Sequence, residues 1–530
     1  LIIDKLIIKN YKLFQNFECD FNKDISILVG DNEEGKSTIL EAINLLLTGK
    51  LNGRSIYYEL TPYLCNKTAI NDYISELETG AKNHPPDILL ELYLQDNEQL
   101  AFLKGTNNSK KINAAGIYMH LEFNDKFSEE YLEYIDDSAR VETIPIEYYD
   151  VTWCSFANET LTSRKIPVNT TLVDTSIQKN YYGTDQYIAK IIDDSLDMKE
   201  KTDLSLNFRK LKESFAAEQT IKNINQKLSA KKGIISDKDL SVSVDISAKS
   251  NWESTLTSYL DDIPFKFIGK GEQNSIKINL TIESGAEESQ VILIEEPENH
   301  LSFSNMSKLI NKIKDKCRGK QLILTTHSTF VLNKLGINNV ILLNNENNMK
   351  LEDLSIETQR YFQKLPGYDT LRLILSQRPI LVEGPSDELI IQKAYWQKYG
   401  RLPIEDGRDI ITVRGLSFKR FLEIAQIINK KVSVVTDNDG DVEKLERKYD
   451  DYLDDRNIDI WYSDDEDFET LEPQILKVNA AETLNSIFGT SKDKEELKEY
   501  MASNKTDSAL KIFESELEIN IPEYINDAIE

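Results

Sequence analysis

The chain has 530 residues, too many for one hydrophobic core, so two to four domains are expected. With 40% hydrophobic and 29% charged residues and no apolar span long enough to cross a bilayer, the composition excludes a membrane protein and predicts a soluble, cytoplasmic one without a secretory leader. A net charge of −27 argues against passive coating of nucleic acid, yet leaves room for metal-dependent chemistry that needs carboxylates.

Residues 1–10 alternate as a strand, and residues 11–21 continue as a hairpin into the apolar run 25–29. There follows Gly30-Asp31-Asn32-Glu33-Glu34-Gly35-Lys36-Ser37, the spacing of a phosphate-binding loop, and then a helical stretch from Thr38. Glycines let backbone N–H groups form a nest around phosphate oxygens, with Gly30, Asn32, Gly35 and Thr38 among the nucleotide contacts. Lys36 reaches the β- and γ-phosphates, Ser37 ligates Mg²⁺, and the helix turns its positive end to the anion. Nucleoside triphosphate binding follows, with ATP and Mg²⁺ as the expected cofactors. Residues 51–86 are mixed polar and read as irregular; 88–94 is a strand, and Gln95 is a turn residue. Residues 188–229 carry helical periodicity without proline and read as one or two amphipathic helices inserted into the ATPase, an arm or self-association element. Residues 230–233 break that pattern, and the chain then turns toward strands again. Cys19, Cys65, Cys154 and Cys317 lack pair spacing, which excludes a disulfide framework and a Cys/His metal centre.

Farther on, Gly269-Lys270-Gly271-Glu272-Gln273 sits just ahead of a helical or strand-like run, and a buried apolar strand from Val291 then ends in Glu295-Glu296. At such a strand end Glu295 would hold the Mg²⁺ shell and Glu296 would polarise the attacking water, the two tasks of in-line phosphoryl transfer. A second apolar strand, from residue 321, ends in His327, placed to contact the γ-phosphate. Loop, glycine segment, Glu-Glu strand and His strand in this order resemble the ATP-binding-cassette ATPases of the SMC and RecF type. That resemblance implies a homodimer or larger assembly in which the glycine signature, here with Gly271 and Gln273, packs onto the partner's nucleotide. Gly269 stands at the usual serine position, Lys270 at the usual first glycine, and Glu295 where Asp is commoner. ATP binding is therefore the expectation, and rapid turnover is not.

After Arg378-Pro379 comes a strand ending in Glu383, a glycine turn, and a helix carrying Asp387; a second strand spans 410–415 with a helix from Ser417 onward; a third ends in Asp437-Asn438-Asp439. In a parallel sheet such groups gather at the carboxyl ends of neighbouring strands, and alternation points Asp437 and Asp439 the same way. Carboxylates converging there repel one another unless divalent cations lie between them, and two such ions can clamp the attacking and leaving oxygens of a phosphodiester. Asp441 reads as part of the acidic face that follows.

This combination resembles a Toprim domain, and an SMC-type ATPase followed by Toprim resembles the OLD (overcoming lysogenization defect) nucleases, which include the nuclease subunits of Gabija phage defence. The resemblance implies Glu383 and Asp387 as the Glu-x-x-x-Asp motif and Asp437 and Asp439 as Asp-x-Asp, metal ligands for Mg²⁺ or Mn²⁺. It adds Glu472 as a further ligand, Lys505 as a lysine stabilising the pentavalent phosphate, and residues 413–419 as the glycine–lysine stretch with its double glycine reduced to Gly415. The expected architecture is α/β: an ABC-type phosphate-loop ATPase (1–150 and 263–377) interrupted by a helical insertion (151–262), a Rossmann-like Toprim domain (378–475) and a C-terminal helical segment (476–530). The expected activity is ATP-gated endonucleolytic cleavage of DNA in anti-phage defence, with a second defence subunit as a further partner. The alternatives are the same nuclease acting on RNA and an ATP-sensing scaffold that assembles partners without cutting.

Overall fold

The computed structural model describes residues 2–136, 141–162, 165–166, 170–174, 196–230, 240–244, 252, 258–280, 290–344, 346–351, 353–367, 369–413 and 418–530. Two compact units emerge, Leu1–Lys165 together with Ile323–Glu530, and Ile166–Leu322. The mixture of sheets and helices is the α/β class expected from the sequence.

In the first unit the opening alternation folds as anticipated. Strand Ile3–Tyr11 buries Ile3, Leu6 and Ile8 and pairs antiparallel with Phe14–Asp20, the reversal passing through Lys12 in the left-handed region. Ile88–Leu94 pairs on its other edge, Ala114–Phe123 beyond that, and Tyr149–Ser155 on the last. The strand Ile25–Val29 joins a different sheet. It runs parallel to Val340–Asn344, Val340 opposite Ile27 and Leu342 opposite Val29, with Gln321–Thr325 as its other neighbour. Covered on both faces, it reads in sequence as an unbroken apolar run.

Residues 51–86 are more ordered than their composition suggests. Lys67–Glu78 is a helix whose first free N–H groups are capped by the Asn66 side chain, which accepts from Thr68 N at 2.9 Å and Ala69 N at 3.2 Å. Its buried stripe is only Ala69, Tyr73 and Leu77, too thin to stand out among polar neighbours.

Farther along the same unit lies a four-stranded, all-parallel sheet in the order Ile410–Thr412, Ile380–Val382, Val432–Val435, Ile458–Trp461. The last of these strands is an addition to the three legible in sequence. C-terminal helices share one core with this sheet: Leu471, Ile475, Leu497, Met501, Ile512 and Ile525 pack with Val382, Ile391 and Val435. The sheet is fastened to the preceding helices by polar contacts. Glu423 accepts from Ser355 N, from Ser355 Oγ at 3.0 Å and from Thr358 Oγ1, while Arg420 donates to Thr358 Oγ1 at 3.0 Å and Glu357 at 2.8 Å. Phe362 meets Phe421 edge-on at 5.3 Å, and Arg372 holds Asp409 through Nε at 2.9 Å.

In the second unit Thr170–Asp174 pairs parallel with Val291–Glu295. The inserted segment contains helices Met198–Ala216 and Gln219–Ser229, the first opened by an Asp197–Glu200 capping box. The part of the expected helical stretch at 188–195, the break at 231–233 and residues 414–417 lie outside the described residues. Among the described residues, no helix is long and apolar enough to cross a membrane.

Helix Lys36–Thr48 leaves the phosphate loop through Gly35, whose φ is +84° and whose added Cβ would lie 2.3 Å from the ring of buried Phe14. Gly53 has a similar φ of +79° with open space around it. Gly35→Ala therefore combines backbone strain with a clash, and we expect it to cost about 2–4 kcal/mol in denaturant melts against about 1–2 for Gly53→Ala. Equal losses at the two positions would show that Phe14 does not constrain the loop.

Candidate active site and nucleotide loop

The phosphate loop follows from its strand: Ile27, Leu28 and Val29 are fully buried, and the chain then turns over Gly30, where a Cβ would meet the Leu343 carbonyl at 3.0 Å. Lys36 is buried at 7% exposure, and its Nζ donates to Gly30 O at 2.9 Å and Asp31 O at 2.7 Å. Asn32 and Ser37 are exposed, and Thr38 is half-buried at the start of the helix. The strand ending at Thr325 runs beside the loop strand, followed by buried Thr326, whose Oγ1 accepts from Ser328 N at 3.0 Å, with His327 exposed between them. Lys36, Ser37 and His327 thus leave neighbouring strands of the first unit.

Glu295, Glu296, Gly271 and Gln273 belong to the second unit. Glu295 ends its strand, and Glu296 follows at φ +44° with Asn299 Nδ2 donating to its Oε2 at 2.6 Å. Gly269 precedes helix Lys270–Leu280, so Gly271 and Gln273 sit in its first turn rather than ahead of it. A Cβ on Gly271 would stand 2.1 Å from the His300 carbonyl, which explains the glycine by close approach of backbone. Gln273 Nε2 donates to Phe265 O at 2.8 Å and Ile268 O at 2.9 Å, tying it to its own turn.

The acidic groups assemble on the parallel sheet of the first unit. Glu383 follows strand Ile380–Val382; Asp387 lies in the first turn of helix Pro385–Tyr399 and accepts from Gly384 N at 2.9 Å. Burial pushes the Asp387 carboxyl up to about 7, with Glu383 and Glu472 adding to the rise and the Gly384 N–H opposing it. Burial likewise raises Asp437 to about 8, reinforced by Asp387, Glu383 and Glu472 and opposed by Lys505. Glu472, 5% exposed at the start of helix Leu471–Val478, is paired with Lys505 Nζ at 3.1 Å. Desolvation would lower Lys505, but Glu472, Asp437 and Asp387 raise it. Glu383, Asp387, Asp437, Glu472 and Lys505 therefore share one electrostatic neighbourhood.

Asp439 stands apart from that description. The strand stops at Val435, and Asp439 adopts φ +51° in an exposed turn, so strand alternation does not aim it alongside Asp437. The turn is pinned by buried Asn438, whose Nδ2 donates to Ser463 O at 2.7 Å and Asp465 O at 2.9 Å. Asp441, read from sequence as part of the acidic face that follows, caps the next helix by accepting from Lys444 N at 2.9 Å.

Sequence reasoning missed several neighbours. Thr436 Oγ1 donates to Glu383 Oε1 at 2.6 Å, joining the two motifs directly. Tyr524, buried on helix Glu523–Ala528, is raised well above an ordinary phenol by burial and then by Asp437, Asp387, Glu472 and Glu383. Thr436 adjoins a motif and was findable; Tyr524, far down the chain, carries no local signal. The donor set is all-oxygen and suits a hard divalent cation such as Mg²⁺ or Mn²⁺. Among the described residues no three His, Cys, Asp or Glu side chains stand in a ready-made cage, so the set is a crowded acidic cluster rather than a closed coordination shell.

Comparison with known proteins bears on both halves. Residues 2–332 match the AAA ATPase domain family, and residues 374–439 match the overcoming lysogenization defect protein-like TOPRIM domain. The DNA replication and repair protein RecF of Ruminiclostridium cellulolyticum is 31% identical over 100 residues, 19% of this chain and 26% of that protein. RecF of Clostridium acetobutylicum is 42% identical over 50 residues, 9% of this chain and 14% of its own length. The chain thus spans about a quarter or less of these curated relatives. Among solved structures, the SMC head domain from Thermotoga maritima covers 66% of this chain and 97% of its own at 13% identity and a TM-score of 0.30. The recombination mediator RecF with ATP covers 66% and 99% at 11% identity and a TM-score of 0.34. The chain belongs to the AAA ATPase domain family and continues into an OLD-like Toprim domain, which makes it an OLD-type ATPase–Toprim fusion.

Proposed function

We propose that this chain is an ATP-binding, divalent-metal-dependent endonuclease that nicks or cleaves DNA at its Toprim carboxylates, gated by the ATPase domain, in anti-phage defence. An ATPase domain joined to an OLD-like Toprim domain supports ATP-dependent, nuclease-like function at the coarse level. The observation that carries the finer reading is that Asp387 and Asp437, two half-buried acids, are both raised by desolvation and by Glu383 and Glu472, Asp437 by Asp387 as well, with Lys505 opposing the rise of Asp437. Such a cluster is electrostatically incomplete without added positive charge.

Glu383, Asp387, Asp437 and Asp439 would hold the cation, with Glu472 in reserve beside Lys505. A divalent ion there supplies charge neutralisation and polarises the scissile phosphate. Thr436 fixes the Glu383 carboxylate, the Gly384 N–H fixes Asp387, and Lys505 adds positive charge where a pentavalent phosphate gathers negative charge. Lys36, Ser37 and His327 serve nucleotide, with Glu295 and Glu296 as its magnesium-shell and water-polarising carboxylates. Cutting a phosphodiester by hydrolysis needs no coupled energy source, so ATP acts as a gate. Exposed Leu204, Leu206, Leu211 and Phe215 on the inserted helix support self-association of copies.

In plasmid nicking with Mg²⁺ or Mn²⁺, Asp437→Ala plus Asp439→Ala is expected to lose more than the roughly 10–100-fold that removal of an outer-shell partner costs. Undiminished nicking would overturn the site, and parallel DNA and RNA substrates decide between the two polymers. Glu296→Gln is expected to keep ATP binding and ATP-dependent restraint of cleavage; loss of cleavage with binding retained would mean that hydrolysis powers the reaction. The raised acids also predict a pH effect in chelator-treated protein. Because the folded-state values of the Asp387–Asp437 pair lie above the ordinary carboxylate value, folding binds protons more tightly, and stability from this pair falls as pH rises from about 4 to about 8. Asp437→Asn should therefore melt like wild type near pH 4 and gain on it by up to about 1.4 kcal/mol per pH unit toward pH 8. A difference independent of pH would show that Asp437 is not held against its neighbours.

A further inference from the structure

Tyr57, Tyr58 and Tyr63 fall within seven residues, between the helix that leaves the phosphate loop and helix Lys67–Glu78. They are 59%, 84% and 89% exposed. The segment that carries them is tied down at both ends. Ile56 and Leu64 are buried, Ile56 N donates to Gly49 O at 3.1 Å, and Lys12 N donates to Leu64 O at 2.8 Å. Each anchor lies in a short 3-10 turn, Ile56–Tyr58 or Pro62–Leu64, and the Tyr57 hydroxyl donates to Val151 O at 3.1 Å. The side chains of Tyr58 and Tyr63, by contrast, make no hydrogen bond or ring contact among the described residues. Two large aromatic rings thus stand in water on an anchored backbone. Their electrostatic setting is unlike that of the rest of the chain. Against a net charge of −27, residues 50–67 carry Lys50, Arg54 and Lys67 with a single carboxylate, Glu59, for a local charge of +2. Glu59 is engaged within the segment, 3.6 Å from Arg54 Nη1 and accepting from Asn52 Nδ2 at 3.4 Å, while Lys50 and Lys67 are exposed.

We propose that Tyr58 and Tyr63, with Lys50, Arg54 and Lys67, form a binding surface for single-stranded nucleic acid, the rings stacking on bases and the cations following the phosphates. Every base has a π-face, so exposed rings beside positive charge bind an unpaired strand without needing its sequence. A duplex keeps those faces inside its own stack and offers the rings only its phosphates. Five residues separate Tyr58 from Tyr63, a span of at most ~18 Å, so one short strand reaches both. The anchored turns hold the rings ready, which reduces the ordering that binding must impose. The inference rests on the reading of this chain as a nuclease and adds the form of the polymer it engages, through residues outside both carboxylate motifs.

The test uses the full chain in chelator, so that nothing is cut, and fluorescence anisotropy of a labelled mixed-sequence oligonucleotide, single-stranded or annealed. Wild type should bind the single strand more tightly than the duplex. Tyr58→Ala plus Tyr63→Ala should weaken single-strand binding by about 5-fold or more, with the melting temperature unchanged because the rings are exposed. Tyr58→Phe plus Tyr63→Phe should bind like wild type, since the stacking face is kept. Arg54→Gln should flatten the slope of log affinity against log salt by about 0.7. DNA and RNA strands of one sequence are run in parallel; ring-dependent binding of either supports the surface, and the tighter one is its ligand. Unchanged affinity in the alanine pair would overturn the proposal, as would equal affinity for the duplex. So would a smaller assembly in light scattering with strand binding intact, which would make the patch a contact between copies. Nicking assays keep this failure apart from that of the nuclease. Ring-dependent strand binding by a wild type that cuts nothing with Mg²⁺ or Mn²⁺ leaves the surface standing and removes the nuclease; cutting by wild type, with strand binding unaltered in the alanine pair, removes the surface alone.

Discussion

Carboxylates repel, and burying them together multiplies the repulsion. Two like charges ~5 Å apart at an effective dielectric near 20 oppose each other by about 3 kcal/mol, far more than in water. The Toprim sheet nevertheless gathers Glu383, Asp387, Asp437 and Glu472, and desolvation, with the neighbouring carboxylates adding to it, raises Asp387 to about 7 and Asp437 to about 8. The surrounding polar contacts manage that cost. The Gly384 N–H steadies Asp387, Thr436 ties down Glu383, and Lys505 sits against Glu472. None of them removes the crowding, which is the physical reason to regard the cluster as built for positive charge from outside the chain.

The parts of this arrangement that were legible in sequence are those in which chemistry and local geometry coincide. A phosphate loop needs its glycines and lysine within a few residues of a buried strand, so Gly30, Gly35, Lys36 and Ser37 announce themselves. Glu383 and Asp387 are similarly local, a strand end and the first turn of the next helix. Asp437 and Asp439 were legible as a pair but not in their orientation, because the strand ends at Val435 and the turn takes Asp439 into a left-handed conformation. Strand alternation does not survive past the last ladder residue. Helix Lys67–Glu78 escaped notice because its cap is a single asparagine and its buried face only three side chains. Tyr524 could not be found by spacing at all, since it lies on a C-terminal helix far along the chain from the carboxylates.

The residues proposed to serve nucleotide divide differently. Lys36, Ser37 and His327 leave adjacent strands of the first unit, whereas Glu295, Glu296, Gly271 and Gln273 are all carried by the second. In the second unit the glycine segment is part of a helix, with Gly271 pressed against the His300 carbonyl and Gln273 bonded to the turn before it. The residue types that a signature segment demands are thus also demanded by ordinary packing there. Sequence pattern alone does not separate the two causes.

The polar contacts between Ser355, Thr358 and Glu423, the Arg420 bridge to Glu357, the grip of Arg372 on Asp409 and the Phe362–Phe421 contact are all made within one unit. They fall at two places on the Toprim sheet, just before strand Ile410–Thr412 and on the helix that leads into Val432–Val435. A plate held at two separate points resists turning about either more than one held at a single point. Displacement of the helices around residues 355–372 would then be felt by the sheet that carries the acidic cluster as a tilt rather than as the wandering of a module on a tether.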